Sequence, residues 1–347
     1  MTAFLKQVMR FSCLLLVGLI ALVGLYVYLD PFKVVKTYTA FYEENAQGGV
    51  ELNKDYVSTM TYLRQVKTEG YNAFIFGNSR SIFYQVDDWR QHLGPQAACY
   101  HFDASGESLW ALEKKVAYIS QNGGSLDDVL LVLDAALLEQ VTPKTGHLFT
   151  ISPELVHHSN VVDFHTTAFM TFIRPKFLYA YLDYWHTGTV KPYMKKLGLL
   201  DDSPFSYCVQ TNEIRYDAFE QQIAENAYYT PARIASFMRE RRKSGPRIQS
   251  EQKRLLGSIQ AIARKHSTRV KVIISPLYDQ IPFDATDLDY LKELFGATNV
   301  LDASGVNDIT ADYTNYYESS HYRPHVAKML LDSVYALSES DLLSKRP

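Results

Sequence analysis

Hydrophobic and polar positions alternate along this chain on three different scales. The first is a single long apolar run. Residues 11–29, FSCLLLVGLIALVGLYVYL, contain no charge. As a helix they would span roughly 28 Å, close to the ~30 Å hydrocarbon core of a bilayer. The second scale is a set of short runs. Ala73–Phe76 ends at Gly77, Ala98–Phe102 at Asp103, Val129–Leu133 at Asp134, Val270–Ile274 at Ser275, and Asn299–Leu301 at Asp302. Each is apolar, β-branched or aromatic, and closes on a small or polar residue, which predicts buried parallel strands. The third is helical spacing between those runs, over Leu109–Ile119, Gln252–Arg264, Leu288–Leu294 and Val326–Leu337. Strands alternating with helices predict an α/β fold with a doubly wound, mostly parallel five-stranded sheet. In such sheets ligands bind beyond the carboxyl ends of the strands.

The apolar run predicts a transmembrane signal anchor over 1–30. Lys6 and Arg10 precede it and favour a cytoplasmic N-terminus; Lys33 and Lys36 follow it and weaken the asymmetry. A cleaved signal peptide would end in a small-x-small site, whereas this run ends in Tyr26-Val27-Tyr28-Leu29-Asp30-Pro31. The expected arrangement is one pass through the cytoplasmic membrane, with 31–347 periplasmic or on the cell surface. Residues 31–70 read as a stalk and 71–347 as the α/β domain. A largely helical insertion, 141–250, rich in Tyr, Phe and His, interrupts that domain. Two readings of it stand open: a lid or partner surface over the active edge, or a layer that only packs.

Composition narrows the classes. The net charge is −3, from 35 Lys+Arg and 38 Asp+Glu, which speaks against nucleic acid. A mean hydropathy of −0.17 excludes a polytopic membrane protein. No glycine-rich phosphate loop is present, and no cofactor is expected. Cys99 and Cys208 would face an oxidising compartment; pairing and two free buried thiols are both open. His325 follows His321 by four, but a zinc site wants three or four ligands and no third is evident. His157, His158 and His165 also lack metal-like partners, so no metal is expected.

Two segments carry candidate chemistry. In Gly77-Asn78-Ser79-Arg80-Ser81 a glycine allows a sharp turn after the first strand and a serine follows, as nucleophile or as helix N-cap. In Tyr316-Tyr317-Glu318-Ser319-Ser320-His321-Tyr322-Arg323-Pro324 an acid stands three residues before a histidine, so one short turn lets the carboxylate hold the imidazole. Serine, base and orienting acid would then meet at one sheet edge.

With GNSRS (77–81), DASGES (103–108), VLDAALLE (132–139) and YYESSHYRP (316–324) in this order, the chain resembles the SGNH/GDSL hydrolase-like superfamily. It looks most like the membrane-anchored subset that includes the D-alanyl-lipoteichoic acid biosynthesis protein and the alginate O-acetylation proteins. The resemblance covers about 70–345, apart from the insertion. It implies Ser79 as nucleophile, His321 as base and Glu318 as acid, in place of the usual Asp. It also implies Gly106 as an oxyanion-hole glycine whose N–H joins that of Ser79. Asp134 stands where hydrolases of the superfamily offer an Asn donor, and an ionised Asp cannot donate. Asp134 is left to bind a substrate hydroxyl, orient Arg80 or cap a helix; Arg80 is left to bind an anionic substrate group or pair with an acid. Asp103 and Ser105 would shape the turn around Gly106.

The implied function is a serine acyltransferase or esterase acting on acyl groups, such as O-acetyl, of cell-envelope or secreted glycans, beside a membrane-bound O-acyltransferase partner. A catalytically silent protein that binds a glycan or that partner is the alternative. A lipase or thioesterase with an apolar groove beside Ser79 is a third.

Overall fold

The computed structural model describes residues 2–239 and 245–344. The basic run 239–243 therefore lies, beyond Arg239, outside the described residues. The chain begins with helix α1 (Thr2–Leu29). Its segment Phe4–Leu29 is long and apolar enough to cross a membrane, and only 6% of its most apolar window is buried within the protein.

The segment expected to be a stalk is instead packed. The chain turns at Asp30, whose buried carboxylate accepts hydrogen bonds from the backbone N–H of Val34 (2.9 Å) and Lys36 (2.8 Å) and from the Tyr38 hydroxyl (3.0 Å). Phe32, Val34 and Phe41 are buried. A short strand β1 (Asn45–Ala46) follows, then helix α2 (Lys54–Glu69), capped by the Asn53 side chain on Tyr56 N–H and stopped by Gly70 in the left-handed region. Tyr62 of α2 joins the main core. The α/β domain thus begins well before residue 71.

The central sheet follows the five expected runs closely. β2 (Ala73–Gly77) leads through helix α3 (Val86–Arg90) to β3 (Cys99–His101). Helix α4 (Leu109–Gln121) leads to β4 (Asp128–Leu133), which ends in the short helix α5 (Ala135–Glu139). The insertion comes next. It holds α6 (Val161–Phe172), α7 (Pro175–Thr187), α8 (Pro192–Lys196), strands β5 (Phe205–Cys208) and β6 (Glu213–Arg215), α9 (Asp217–Ala224) and α10 (Pro231–Ala235). The sheet resumes with α11 (Ser250–His266), β7 (Arg269–Ile274), α12 (Ala285–Phe295) and β8 (Val300–Asp302). The chain closes with α13 (Asp308–Ala311), a hairpin of β9 (Tyr316–Glu318) and β10 (His321–Tyr322), and α14 (Pro324–Ser344).

The sheet order is β3-β2-β4-β7-β8, and every pair is parallel. Each residue of β2 and β4 is buried, which explains their uninterrupted apolar runs. One face packs against α2, α4, α11 and α12 through Phe74, Phe76 and Leu131. The other packs against α3 and α14 through Ala73, Ile75 and Val132. From β2 the chain moves first to one neighbour, β3, and then returns past β2 to β4, leaving a crevice where the winding reverses. The residues just beyond β2 and β4 border that crevice.

The insertion is largely helical, but its β5 pairs with β1 on one side and β6 on the other in a small antiparallel sheet that the apolar pattern did not reveal. It divides its contacts. Phe169 and Phe172 of α6 pack edge-on and tilted against Tyr26, at 5.5 and 5.4 Å between centroids, bracing the end of α1. The later part packs on the β9–β10 hairpin. Cys99 is buried and Cys208 exposed, and both are free thiols; burial pushes the Cys99 thiol up, to about 11.

Candidate active site

Ser79 lies in the turn that leaves β2 at the crevice. Gly77 sets the geometry of that turn: a Cβ there would come within 2.8 Å of the Val132 carbonyl and 2.9 Å of Ser81 Cβ. No α-helix starts at Ser79. The turn continues as one turn of 3₁₀ helix over Ser81–Phe83, which takes no side-chain cap, and Ser81 N–H and Oγ both bond the Asn78 carbonyl. Ser79 is therefore not an N-cap, and its hydroxyl is available to another partner.

That partner comes from the other end of the chain. Ser79 Oγ lies 2.7 Å from His321 Nε2, while His321 Nδ1 is hydrogen-bonded to Glu318 Oε1. Glu318 and His321 face each other across the tight β9–β10 hairpin, which is how a three-residue spacing brings acid and base together. Glu318 Oε2 accepts from Ser320 N–H (3.0 Å) and Ser320 Oγ (3.1 Å). Burial favours the neutral acid, but the hydrogen bond and charge of His321 and the two Ser320 donors outweigh it and hold the Glu318 carboxyl at about 2. Phe83 packs edge-on to the imidazole, 5.7 Å between centroids.

Asp134, the residue after β4, is 2% exposed. Its Oδ1 accepts from Leu137 N–H as the cap of α5 (3.0 Å), and its Oδ2 accepts from Asn78 Nδ2 (2.5 Å) and Arg80 Nη1 (3.0 Å). Of the roles left open by the sequence, it fills capping and Arg80 orientation together. With both oxygens occupied and buried, it offers nothing to a substrate hydroxyl. Arg80 likewise pairs with an acid rather than standing free for an anionic substrate. Its Nε donates to the Ser320 carbonyl at 3.2 Å, so one guanidinium ties the end of β4 to the hairpin that carries His321. A lysine lacks this planar fork. Arg80→Lys is expected to slow reaction of Ser79 with a serine-directed phosphonate by about tenfold or more while leaving the far-UV spectrum unchanged, since misplaced catalytic groups lose rate steeply.

Gly106 sits in a left-handed turn, φ +57°, with its carbonyl accepting from Lys144 Nζ at 2.7 Å. The N–H groups of Ser79 and Gly106 make no intramolecular hydrogen bond among the described residues. Gly106 makes none of the contacts within the Ser79–His321–Glu318 trio. Asp103 is buried and faces Lys54 at 3.7 Å, and Glu107 is buried against Lys115 of α4 at 2.5 Å.

Other candidates fall away from the site. His325 Nε2 contacts Asn315 Oδ1 at 2.9 Å, and His158 pairs with the nearby Glu154. Among the described residues no three His, Cys, Asp or Glu side chains gather as metal ligands would.

Sequence reasoning missed the supports of the hairpin. Arg323 makes a two-pronged pair with Glu220 of α9, at 2.9 and 2.6 Å, and Tyr317 OH adds a bond to Glu220 at 2.6 Å. Tyr228 and Tyr229 donate to the carbonyls of Tyr317 and Tyr316. Nothing in the spacing of 217–229 relates it to residue 321. The chain matches no protein-family model and no curated protein.

Proposed function

We propose that the chain is a membrane-anchored serine acyltransferase or esterase of the SGNH type, with its α/β domain on the extracytoplasmic side. The observation that carries this reading is the continuous line Ser79 Oγ–His321 Nε2, His321 Nδ1–Glu318. The strand order, with helices on both faces, supports a doubly wound SGNH-like fold, and the apolar α1 supports the anchor.

The chemistry follows from the geometry. Ser79 Oγ attacks an acyl carbonyl carbon as its proton passes to His321 Nε2, and ionised Glu318 stabilises the imidazolium. The donor's bond to the acyl carbon breaks, and the departing group takes the proton from His321. An acceptor hydroxyl, of a glycan or of water, then gives its proton to Nε2 and attacks the acyl-serine. The Ser79 Oγ–carbon bond breaks, and Oγ recovers the proton. The free N–H groups of Ser79 and Gly106 would serve the oxyanion. A membrane-bound O-acyltransferase would supply the acyl group.

One observation favours a second reading. Asp134 is sequestered by three donors, so the hole lacks the side-chain donor that hydrolases of this superfamily place there, as befits a silent glycan- or partner-binding protein. Treating the purified full chain in detergent with a fluorophosphonate separates the two. Covalent label on Ser79, absent in Ser79→Ala, is the expected result. A folded protein that stays unlabelled, with and without its membrane fraction, would support the silent reading.

A further inference from the structure

A cavity of about 730 Å³ runs from the end of α1 to the loops beside Ser79. Leu29, Asp30 and Tyr181 frame one end, and Ile82 and Ser105 the other. Ile82 belongs to the single 3₁₀ turn that follows Ser79, and Ser105 precedes Gly106. Tyr216 of the wall lies 6.2 Å from Phe83, the ring that covers His321, so the cavity is one side chain removed from the base. Its size falls within the range of small-ligand sites.

The wall has a definite chemical character. Tyr38, Tyr42, Tyr184 and Tyr216 contribute amphipathic rings, whose faces suit the C–H surfaces of sugars and the charge of ammonium groups. Glu43, Glu51 and Asp201 line the same space, with no hydrogen bond or ion pair from their carboxylates among the described residues. Burial, and then the charge of Asp201, push the Glu51 carboxyl up. Two lysines, Lys33 and Lys54, also line the cavity. Lys33 donates to the Phe41 carbonyl; Lys54 donates to Asn212 (3.1 and 3.2 Å) and faces Asp103. The lining holds four acids, Asp30, Glu43, Glu51 and Asp201, against these two lysines, and Lys33 answers the charge of Glu43 and Asp30; the remaining negative charge repels an anionic polymer and attracts a cationic one.

We propose that this cavity binds a polyhydroxylated chain bearing free amino groups, such as a glucosamine oligosaccharide, and delivers one of its hydroxyls to acyl-Ser79. Binding itself is independent of the acyl chemistry; the delivery rests on the serine acyltransfer reading above. The ammonium groups pair with Glu43, Glu51 and Asp201, and the rings stack on the tyrosines. Uronate and phosphate polymers are excluded.

The test is calorimetric titration of the full chain in detergent, carrying Ser79→Ala to prevent turnover. The ligands are a glucosamine tetramer, its fully N-acetylated counterpart and a uronate tetramer. The glucosamine tetramer is expected to bind about tenfold or more tighter than the acetylated one, with no binding of the uronate. Glu51→Gln and Asp201→Asn, tested separately so that a misfolded variant is recognised, should each weaken glucosamine binding by about tenfold, the typical worth of a charged hydrogen bond, and leave the acetylated tetramer within about twofold. Equal affinity for all three ligands, tighter uronate binding, indifference to both variants or no binding of any ligand would overturn the proposal. Fluorophosphonate labelling of the unmutated chain is read separately, so loss of the catalytic reading and loss of this one are distinguishable.

Discussion

His321→Ala is expected to slow fluorophosphonate labelling of Ser79 by three orders of magnitude or more, the usual cost of removing one member of such a trio. The 2.7 Å bond to Nε2 is the only side-chain hydrogen bond of Ser79 Oγ among the described residues; without it no base takes the proton. Glu318→Gln is expected to cost less, about 10- to 100-fold, because the Glu318 side chain is 47% exposed and water screens its charge. The two variants also differ with pH. The Glu318 carboxyl is held at about 2, so it stays ionised through the acid range and should add no proton of its own to the acid limb of the labelling rate. The same depression makes Glu318 contribute stability above the ordinary carboxylate pKa of about 4.3. That contribution fades as pH falls from there toward about 2. Stopped labelling over a pH series, with thermal melts alongside, reads both effects. A two-proton acid limb would contradict the assignment.

The second large effect lies in the core. Lys115 is fully buried between Asp55 at 3.0 Å and Glu107 at 2.5 Å. Burial pushes the Glu107 carboxyl up, to about 7, against the pull of Lys115. For Lys115 burial works the other way, but Asp55 and Glu107 outweigh it and hold the ammonium above its ordinary range. Lys115→Met leaves two carboxylates buried without their cation and is expected to destabilise the fold by about 3–5 kcal/mol, read as a fall in the denaturation midpoint. Adding Glu107→Gln and Asp55→Asn should restore most of that loss, because the cost lies in the stranded charge rather than in the missing pair. If the single variant melts with the wild type, the triad is not the support described here.

This triad also shows where sequence reading stops. The strand runs were legible because burial on both faces leaves nothing polar in β2 or in β4 after Asp128. Glu318 and His321 were legible because a three-residue spacing lets one turn join them, and Ser79 because it follows a glycine at a strand's end; that Ser79 would meet His321 rested on the expected sheet topology, not on spacing. Asp55 and Lys115 were not: they lie 60 residues apart in the sequence, in helices whose polar positions read as solvent-facing. Asp55 fell in the supposed stalk because α2 is polar on average, and its burial depends on partners distant in the chain. The three short strands of the small sheet have too few residues to show a period. Asp134 carried three plausible local roles, and only the tertiary approach of Asn78 and Arg80 selected among them.

The hydrogen bond between Ser79 and His321 spans 242 positions, and this separation governs timing. Synthesis proceeds from the N-terminus and domains form as their segments emerge. The turn bearing Ser79 is made early, while His321 is among the last tenth of the chain to appear. Until the hairpin has closed on Glu220, Ser79 lacks the imidazole partner it has in the folded chain. A chain stalled or cut before residue 321 would hold Ser79 with no imidazole beside it, and on the proposed function its serine would stay unreactive.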